Sequence, residues 1–188
     1  MIQVRRAAPR RAVRVTAMIL VAALLRALLL PLGDLFSTLV FAGCLLAITW
    51  VERLSAIESR WRKGRAVVAG LMVGAILLAP VVSGPLSGRP LDAFLPWAAI
   101  AALVATLEET AIRGVLYRGW AGEAGTVAAI VLGAAVFALI HLPRYGLGAM
   151  PLDATVGLAL GGLRALTGRV LPCAVAHTVA DWGAWFWA

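Results

Sequence analysis

The sequence has little charge. Only 14% of its 188 residues are charged and 62% are hydrophobic, whereas an average soluble protein is about 25% charged and roughly 45–50% apolar. The mean hydropathy is +0.94, and a soluble domain of this size needs more polar residues to cover its surface. The composition therefore excludes an ordinary water-soluble domain and predicts an integral membrane protein.

Cysteine is also scarce. The two cysteines, Cys44 and Cys173, lie far apart in separate apolar stretches and form no CxxC motif. This pattern excludes a disulfide scaffold and is typical of small buried side chains.

The basic residues outnumber the acidic ones by 17 to 9, but their positions argue against nucleic-acid binding. They cluster at the ends of apolar runs rather than alternating with aromatic residues. Residues 1–14 carry five arginines, and residues 53–65 carry four arginines and one lysine. The positive-inside rule then predicts a cytoplasmic N-terminus and places Arg113, Arg118, Arg164 and Arg169 on the same side.

The single lysine among many arginines, alanines and glycines is typical of a GC-rich bacterial genome, so we expect a bacterial inner membrane.

Apolar runs of the length that crosses a bilayer, about 20 residues, recur along the chain. We therefore predict an all-α fold, a polytopic integral membrane helical bundle of about seven transmembrane helices. No repeat or linker divides residues 1–188, so we expect one domain, with residues 1–14 as a basic cytoplasmic segment and the first run retained rather than cleaved as a signal peptide. The predicted spans are Val15–Leu32, Leu35–Val51, Ala66–Val82, Phe94–Ile112, Gly125–His141, Leu152–Leu166 and Val170–Trp187.

Ionisable residues inside a bilayer cost at least about 2.5–3.5 kcal/mol each and need a reason. They concentrate in the predicted helices of residues 94–187. Glu109 and Arg113 are four residues apart, as are His177 and Asp181, so each pair could be purely structural. Glu108 has no cation four residues on, which makes it a candidate general base. His141, at the end of the fifth apolar run, is a further candidate. The six candidate site residues are Glu108, Glu109, Arg113, His141, His177 and Asp181.

Three motifs follow one another on successive apolar runs: Glu-Glu-x-x-x-Arg at Glu108–Arg113, Phe-x-x-x-His at Phe137–His141 and His-x-x-x-Asp at His177–Asp181. Together they resemble the CAAX protease and bacteriocin-processing (CPBP, or Abi) family, which includes the type II CAAX prenyl endopeptidases. The resemblance covers about Leu107 to Asp181. It implies an intramembrane endopeptidase that cuts a membrane-associated protein or peptide, in maturation, in C-terminal sorting-tail removal or in bacteriocin-related processing.

On this interpretation Glu108, helped by His141, deprotonates the attacking water. Glu109 and Arg113 form a pair that supports the helix and shapes the field around Glu108. An activated water is the simplest nucleophile, because no serine or cysteine adjoins either histidine in the sequence.

We expect His177 to stabilise the oxyanion and Asp181 to orient His177. The family often carries asparagine where Asp181 stands. An ionised aspartate only accepts hydrogen bonds, so it cannot replace asparagine as a donor to an oxyanion.

Three alternatives stay open. In the first, Glu108, His141 and His177 hold a catalytic zinc ion, although no HExxH motif is present. Apart from this alternative, we predict that the protein needs no cofactor. The intramembrane acids and histidines could instead relay protons in a transporter. The third alternative is a non-catalytic membrane or immunity protein.

The expected helix lengths leave one geometric difficulty. If the fourth and fifth helices turn near Gly122–Gly125, Glu108 and His141 differ in depth by about 5 Å, at 1.5 Å per residue. An irregular or interfacial segment at Gly119–Gly125 would remove the mismatch.

Overall fold

The computed structural model describes residues 10–52, 61–80, 82 and 84–187, and within these ranges it contains helices and no strand. The segments 1–9 and 53–60, which hold four of the ten residues of the two predicted basic clusters, lie outside the described residues. The expected all-α membrane bundle is confirmed. Its α-helices are α1 (Arg10–Leu29), α2 (Asp34–Val51), α3 (Lys63–Leu78), α4 (Phe94–Glu109), α5 (Tyr117–Ala124), α6 (Thr126–Tyr145), α7 (Met150–Thr167) and α8 (Leu171–Trp187).

Four stretches of the described chain are long and apolar enough to cross a membrane by length and composition: Arg11–Leu32, Asp34–Val51, Leu91–Ala124 and Thr126–Tyr145. The helices α3 and α8 are shorter, at 16 and 17 residues. The count of seven crossings stays a prediction.

The predicted end of the fourth span at Ile112 is wrong. A π-helical segment, Thr110–Leu116, joins α4 to α5, so the helix continues to Ala124. Neither the π-helical segment nor α5 contains a proline, and the helix ends at Ala124, before Gly125, whose φ of +89° favours glycine. Residues 119–124 are helical, so the irregular segment considered at Gly119–Gly125 is absent and the chain turns at Gly125.

This turn removes the expected difference in depth. Glu108 lies 17 residues before Gly125, and His141 lies 16 residues after it. Two antiparallel helices that meet at Gly125 therefore bring these two side chains to the same level.

Ion pairs at the two ends of the bundle show that neighbouring helices run in opposite directions. At one end, Arg11 and Arg14 at the start of α1 contact the Glu52 carboxylate after α2, at 2.9 and 2.6 Å. At the other end, Arg144 near the end of α6 contacts Asp34 at the start of α2, at 3.0 Å. The chain therefore traverses the bundle repeatedly, as a polytopic membrane protein does.

Glycines bring the last two helices close to their neighbours. A Cβ atom added to Gly74 on α3 would lie 2.8 Å from the backbone oxygen of Ala176 on α8. One added to Gly157 on α7 would lie 2.8 Å from the Cα of Ala134 on α6. These approaches hold α8 and α7 firmly against the rest of the bundle, as small residues do between membrane helices.

Two arginines that the charge pattern placed on the cytoplasmic side are buried within the bundle. Arg113 is 1% exposed and Arg164 is 5% exposed. The Nε of Arg164 donates a 2.9 Å hydrogen bond to the backbone oxygen of Arg113. Burial is tolerated because both guanidinium groups have hydrogen-bond acceptors inside the protein.

Candidate active site

Glu108 lies at the centre of the buried polar cluster. It belongs to the last turn of α4 and is 3% exposed. Its Oε2 is 3.9 Å from the Nε2 of His141 on α6 and 3.9 Å from the Nε2 of His177 on α8. Both separations exceed a direct hydrogen bond, and each is one that a water molecule bonded to both groups can bridge.

His141 is oriented by its own helix. Its Nδ1 lies 2.8 Å from the backbone oxygen of Phe137, one turn earlier. A carbonyl oxygen only accepts, so Nδ1 carries the proton, and in the neutral ring Nε2 is free to accept on the side of Glu108. The ring is also held between Phe137, at 4.4 Å between centroids, and Tyr145, at 5.8 Å. The Phe-x-x-x-His spacing thus produces a pre-oriented imidazole.

Glu109 orients the second histidine. Its Oε1 lies 3.1 Å from the Nδ1 of His177 and accepts a 2.9 Å hydrogen bond from the Nη1 of Arg113. Arg113 is fixed in turn by a 3.0 Å bond from its Nη2 to the backbone oxygen of Gly157. The i, i+4 ion pair expected between Glu109 and Arg113 is therefore present, and it also fixes the His177 ring with its Nε2 towards Glu108.

Asp181 makes a longer contact with the same ring. Its Oδ1 lies 3.7 Å from the Nε2 of His177, and its side chain is 38% exposed. The shorter contact to His177 is the one from Glu109 at Nδ1. Asp181 thus adds negative charge at the open side of the site, while its proposed role in orienting His177 stays a prediction.

The π-helical segment begins directly after these two glutamates. Glu108 and Glu109 are adjacent, so an ideal helix separates them by about 100° around its axis, yet both are buried. They can both face protein because α4 lies between α2 and α8. Short π-helical segments inside α-helices are frequent at functional sites.

Sequence reasoning missed two further residues near the cluster. Asp153, in the first turn of α7, is close enough to His141 for an electrostatic interaction, and its Oδ2 is buried without a hydrogen-bond partner among the described residues. Arg164 contacts the backbone of Arg113 and lies over the Tyr117 ring at 4.9 Å. In the sequence, these two residues were visible only as charges near the two ends of the short apolar run Leu152–Leu166.

The three metal-ligating residues considered in the sequence lie together. The ligand atoms of Glu108, His141 and His177 are all within 4.8 Å of one another. Two imidazoles and a carboxylate are a donor set that zinc accepts, so the chemistry fits. At zinc–ligand bond lengths near 2.1 Å, however, tetrahedral ligand atoms lie about 3.4 Å apart. The two separations from Glu108 Oε2 to the histidine Nε2 atoms are 3.9 Å, so each would have to close by about 0.5 Å to hold zinc.

The fold and the cluster together define the class: a helical membrane protein in which one buried carboxylate and two oriented imidazoles surround a small shared space. The family model of the type II CAAX prenyl endopeptidase Rce1-like proteins matches residues 90–183. The chain belongs to this protease family, as the resemblance of its motifs indicated. No curated protein and no solved structure gives a significant match.

Proposed function

We propose that the protein is an intramembrane endopeptidase that hydrolyses a peptide bond of a membrane-associated protein or peptide with a water activated by Glu108 and His141. The observation that supports it most directly is the 3.9 Å separation between Glu108 Oε2 and His141 Nε2, with the Nδ1–H of His141 bonded to Phe137. Two proton acceptors then face one space, inside a chain of a protease family.

In this mechanism the water oxygen bonds to the scissile carbonyl carbon while Glu108 accepts one water proton. The carbonyl oxygen becomes an oxyanion. When the tetrahedral intermediate breaks down, the carbon–nitrogen bond cleaves and the proton held by Glu108 passes to the leaving amine. General acid–base catalysis of this kind contributes about 10²- to 10⁴-fold.

His177 is placed to stabilise the oxyanion. Its Nδ1 already donates to Glu109, so a donor at Nε2 requires the imidazolium form of the ring. The carboxylates of Glu109 and Asp181 lie on either side of the ring, at 3.1 and 3.7 Å, and compensate that charge. Stabilisation of the oxyanion is worth about 10²- to 10³-fold per donor.

The test uses the purified protein in liposomes and a fluorogenic peptide with a farnesylated cysteine followed by three residues. Cleavage is expected for the wild type and is lost in Glu108→Gln and in His141→Ala. Glu123→Gln, an equivalent change at the end of α5, is the matched control and keeps activity. An active Glu108→Gln enzyme would show that Glu108 is not the base. The unprenylated peptide tests whether the lipid is needed.

The zinc-dependent version of the enzyme makes a different prediction for chelation. We propose the metal-free mechanism because the spacing of Glu108, His141 and His177 is wider than zinc ligands require. Activity is therefore expected to survive treatment with a chelator, with metal content measured on the same sample. Loss of activity on chelation and its recovery with Zn²⁺ would establish the metalloenzyme instead.

Two further classes remain as outcomes of the same experiments. A proton-coupled transporter would acidify liposomes without cleaving the peptide, and a non-catalytic or immunity protein would do neither.

We also propose an N-terminus on the cytoplasmic side of a bacterial inner membrane, from the arginines of residues 1–14. Labelling of a cysteine introduced at Gly88, between α3 and α4, would test the orientation, because this position is then predicted outside.

A further inference from the structure

A third buried arginine, besides Arg113 and Arg164, lies inside the bundle. Arg26, on α1, is 4% exposed. Its Nη2 donates a 3.2 Å hydrogen bond to the Oγ1 of Thr38 on α2, and its guanidinium carbon lies 5.1 Å from the centre of the Phe41 ring. The side chain therefore does not extend to the membrane surface but points between α1 and α2.

Helix positions place this guanidinium at the depth of His141. The Asp34–Arg144 ion pair sets a common level for α2 and α6. Thr38, which holds Arg26, lies four residues along α2, about 6 Å, and His141 lies three residues back along α6, about 4.5 Å. Arg26 is also close enough to Glu108 for an electrostatic interaction. The guanidinium thus lies at the depth at which the peptide bond would be hydrolysed, within electrostatic range of Glu108.

No direct ion pair within the described chain balances the charge of Arg26. Among the residues that the structure describes, no carboxylate forms an ion pair with it, and its Nε is buried without a hydrogen-bond partner. A buried cation without a counter-ion is costly, so it needs a function or a partner. By contrast, the equally buried Arg113 has the Glu109 carboxylate at 2.9 Å.

We propose that Arg26 binds the C-terminal carboxylate of the peptide substrate, an inference that rests on the proposed endopeptidase activity. A guanidinium edge that presents Nε and Nη matches the two oxygens of a carboxylate. The chain end fits better than an internal acidic side chain because α1 and α2 pack directly against each other. A polypeptide that continued past Arg26 would have to separate these helices, whereas a terminus would stop there.

The test measures binding separately from catalysis. The Glu108→Gln protein in phosphatidylcholine nanodiscs is titrated with the farnesylated peptide in two forms, one with a free C-terminal carboxylate and one with a C-terminal amide. The carboxylate form is expected to bind about 10- to 100-fold more tightly, the range for a hydrogen bond to a charged group. Adding Arg26→Gln removes this preference, whereas Arg14→Gln, an equal loss of charge at the other end of α1, keeps it.

Three results would overturn the proposal, two of them in the binding assay. One is equal binding, or no binding, of the two peptide forms. The other is a preference for the carboxylate that survives Arg26→Gln. If the cation instead holds a lipid phosphate, phosphatidylglycerol would raise the Tm of the wild type and not of Arg26→Gln without any peptide, which also contradicts the assignment. Peptide cleavage by wild-type protein is measured in parallel, so a failure of the endopeptidase proposal is seen independently of the binding ratio.

Discussion

The adjacent glutamates are expected to differ sharply in what their removal does. Glu109 and Arg113 are 0% and 2% exposed at their side chains and form a 2.9 Å ion pair, which His177 joins at 3.1 Å. Glu109→Gln keeps the shape of the side chain but leaves the Arg113 guanidinium buried without its counter-ion. Breaking a buried pair in this way costs about 3–5 kcal/mol, or about 10²- to 10⁴-fold in the unfolding equilibrium.

Glu108 has no ion-pair contact shorter than 3.9 Å. Glu108→Gln should therefore abolish cleavage while it changes the free energy of unfolding by less than about 1 kcal/mol, the usual net value of a hydrogen bond. The two variants thus separate a residue that acts on the reacting atoms from one that positions others.

The assay is equilibrium unfolding in mixed micelles of the wild type, Glu109→Gln, Arg113→Met and the double variant, with cleavage measured on each. Because the two residues form one pair, the double variant should lose less stability than the sum of the single ones, by about 0.5–3 kcal/mol. Wild-type stability in Glu109→Gln, or strict additivity in the double variant, would refute the reasoning that this pair supports the site.

Three further predictions concern the rest of the protein. Asp181→Asn should retain substantial cleavage activity, because the Asp181 carboxylate is 3.7 Å from the nearest histidine nitrogen and the amide of asparagine can donate to an oxyanion. Complete loss of activity would show that the negative charge of Asp181 is essential. Gly74→Ala should lower the free energy of unfolding by about 1–3 kcal/mol, since its Cβ would overlap the backbone of Ala176; Gly43→Ala, with nothing within 4 Å, is the control in a thermal melt. Burial raises the pKa of Glu52, but its two arginine partners lower it more, so the pKa lies below its ordinary value of 4.5. The stabilisation by this carboxylate is therefore present above pH 4.5 and is lost as the pH falls through the lowered pKa. Glu52→Gln should make the free energy of unfolding less dependent on pH in this acid range, and an unchanged dependence would contradict the prediction.

Much of the fold followed from hydropathy because membrane helices must be long and apolar. The boundaries of α2 and α8 lie within one residue of the predicted spans. The continuation of α4 through a π-helical segment could not be predicted, because Thr110–Leu116 carries no local signal that separates π-helix from α-helix.

In the candidate site, contacts within one helix could be predicted from the sequence, whereas contacts between helices could not. The pairing of Glu109 with Arg113 was visible in the sequence because it spans one helical turn. The contact of Glu109 with His177 joins residues 68 positions apart, and only the packing of α8 against α4 creates it. Arg26 lies within the predicted first span, but its orientation towards Thr38 depends on how α1 and α2 pack.

The unequal lengths of the helices have a consequence for the surrounding lipid. The stretch Leu91–Ala124 has 34 residues and spans about 50 Å, whereas α3 and α8, with 16 and 17 residues, span only about 24–26 Å at 1.5 Å per residue. If α3 and α8 cross the membrane as predicted, a hydrocarbon layer of about 30 Å would thin beside them, while the long helix would tilt or protrude. Such a depression in the bilayer would lie beside the helix that carries His177, and it would shorten the path of water and of a peptide bond to Glu108.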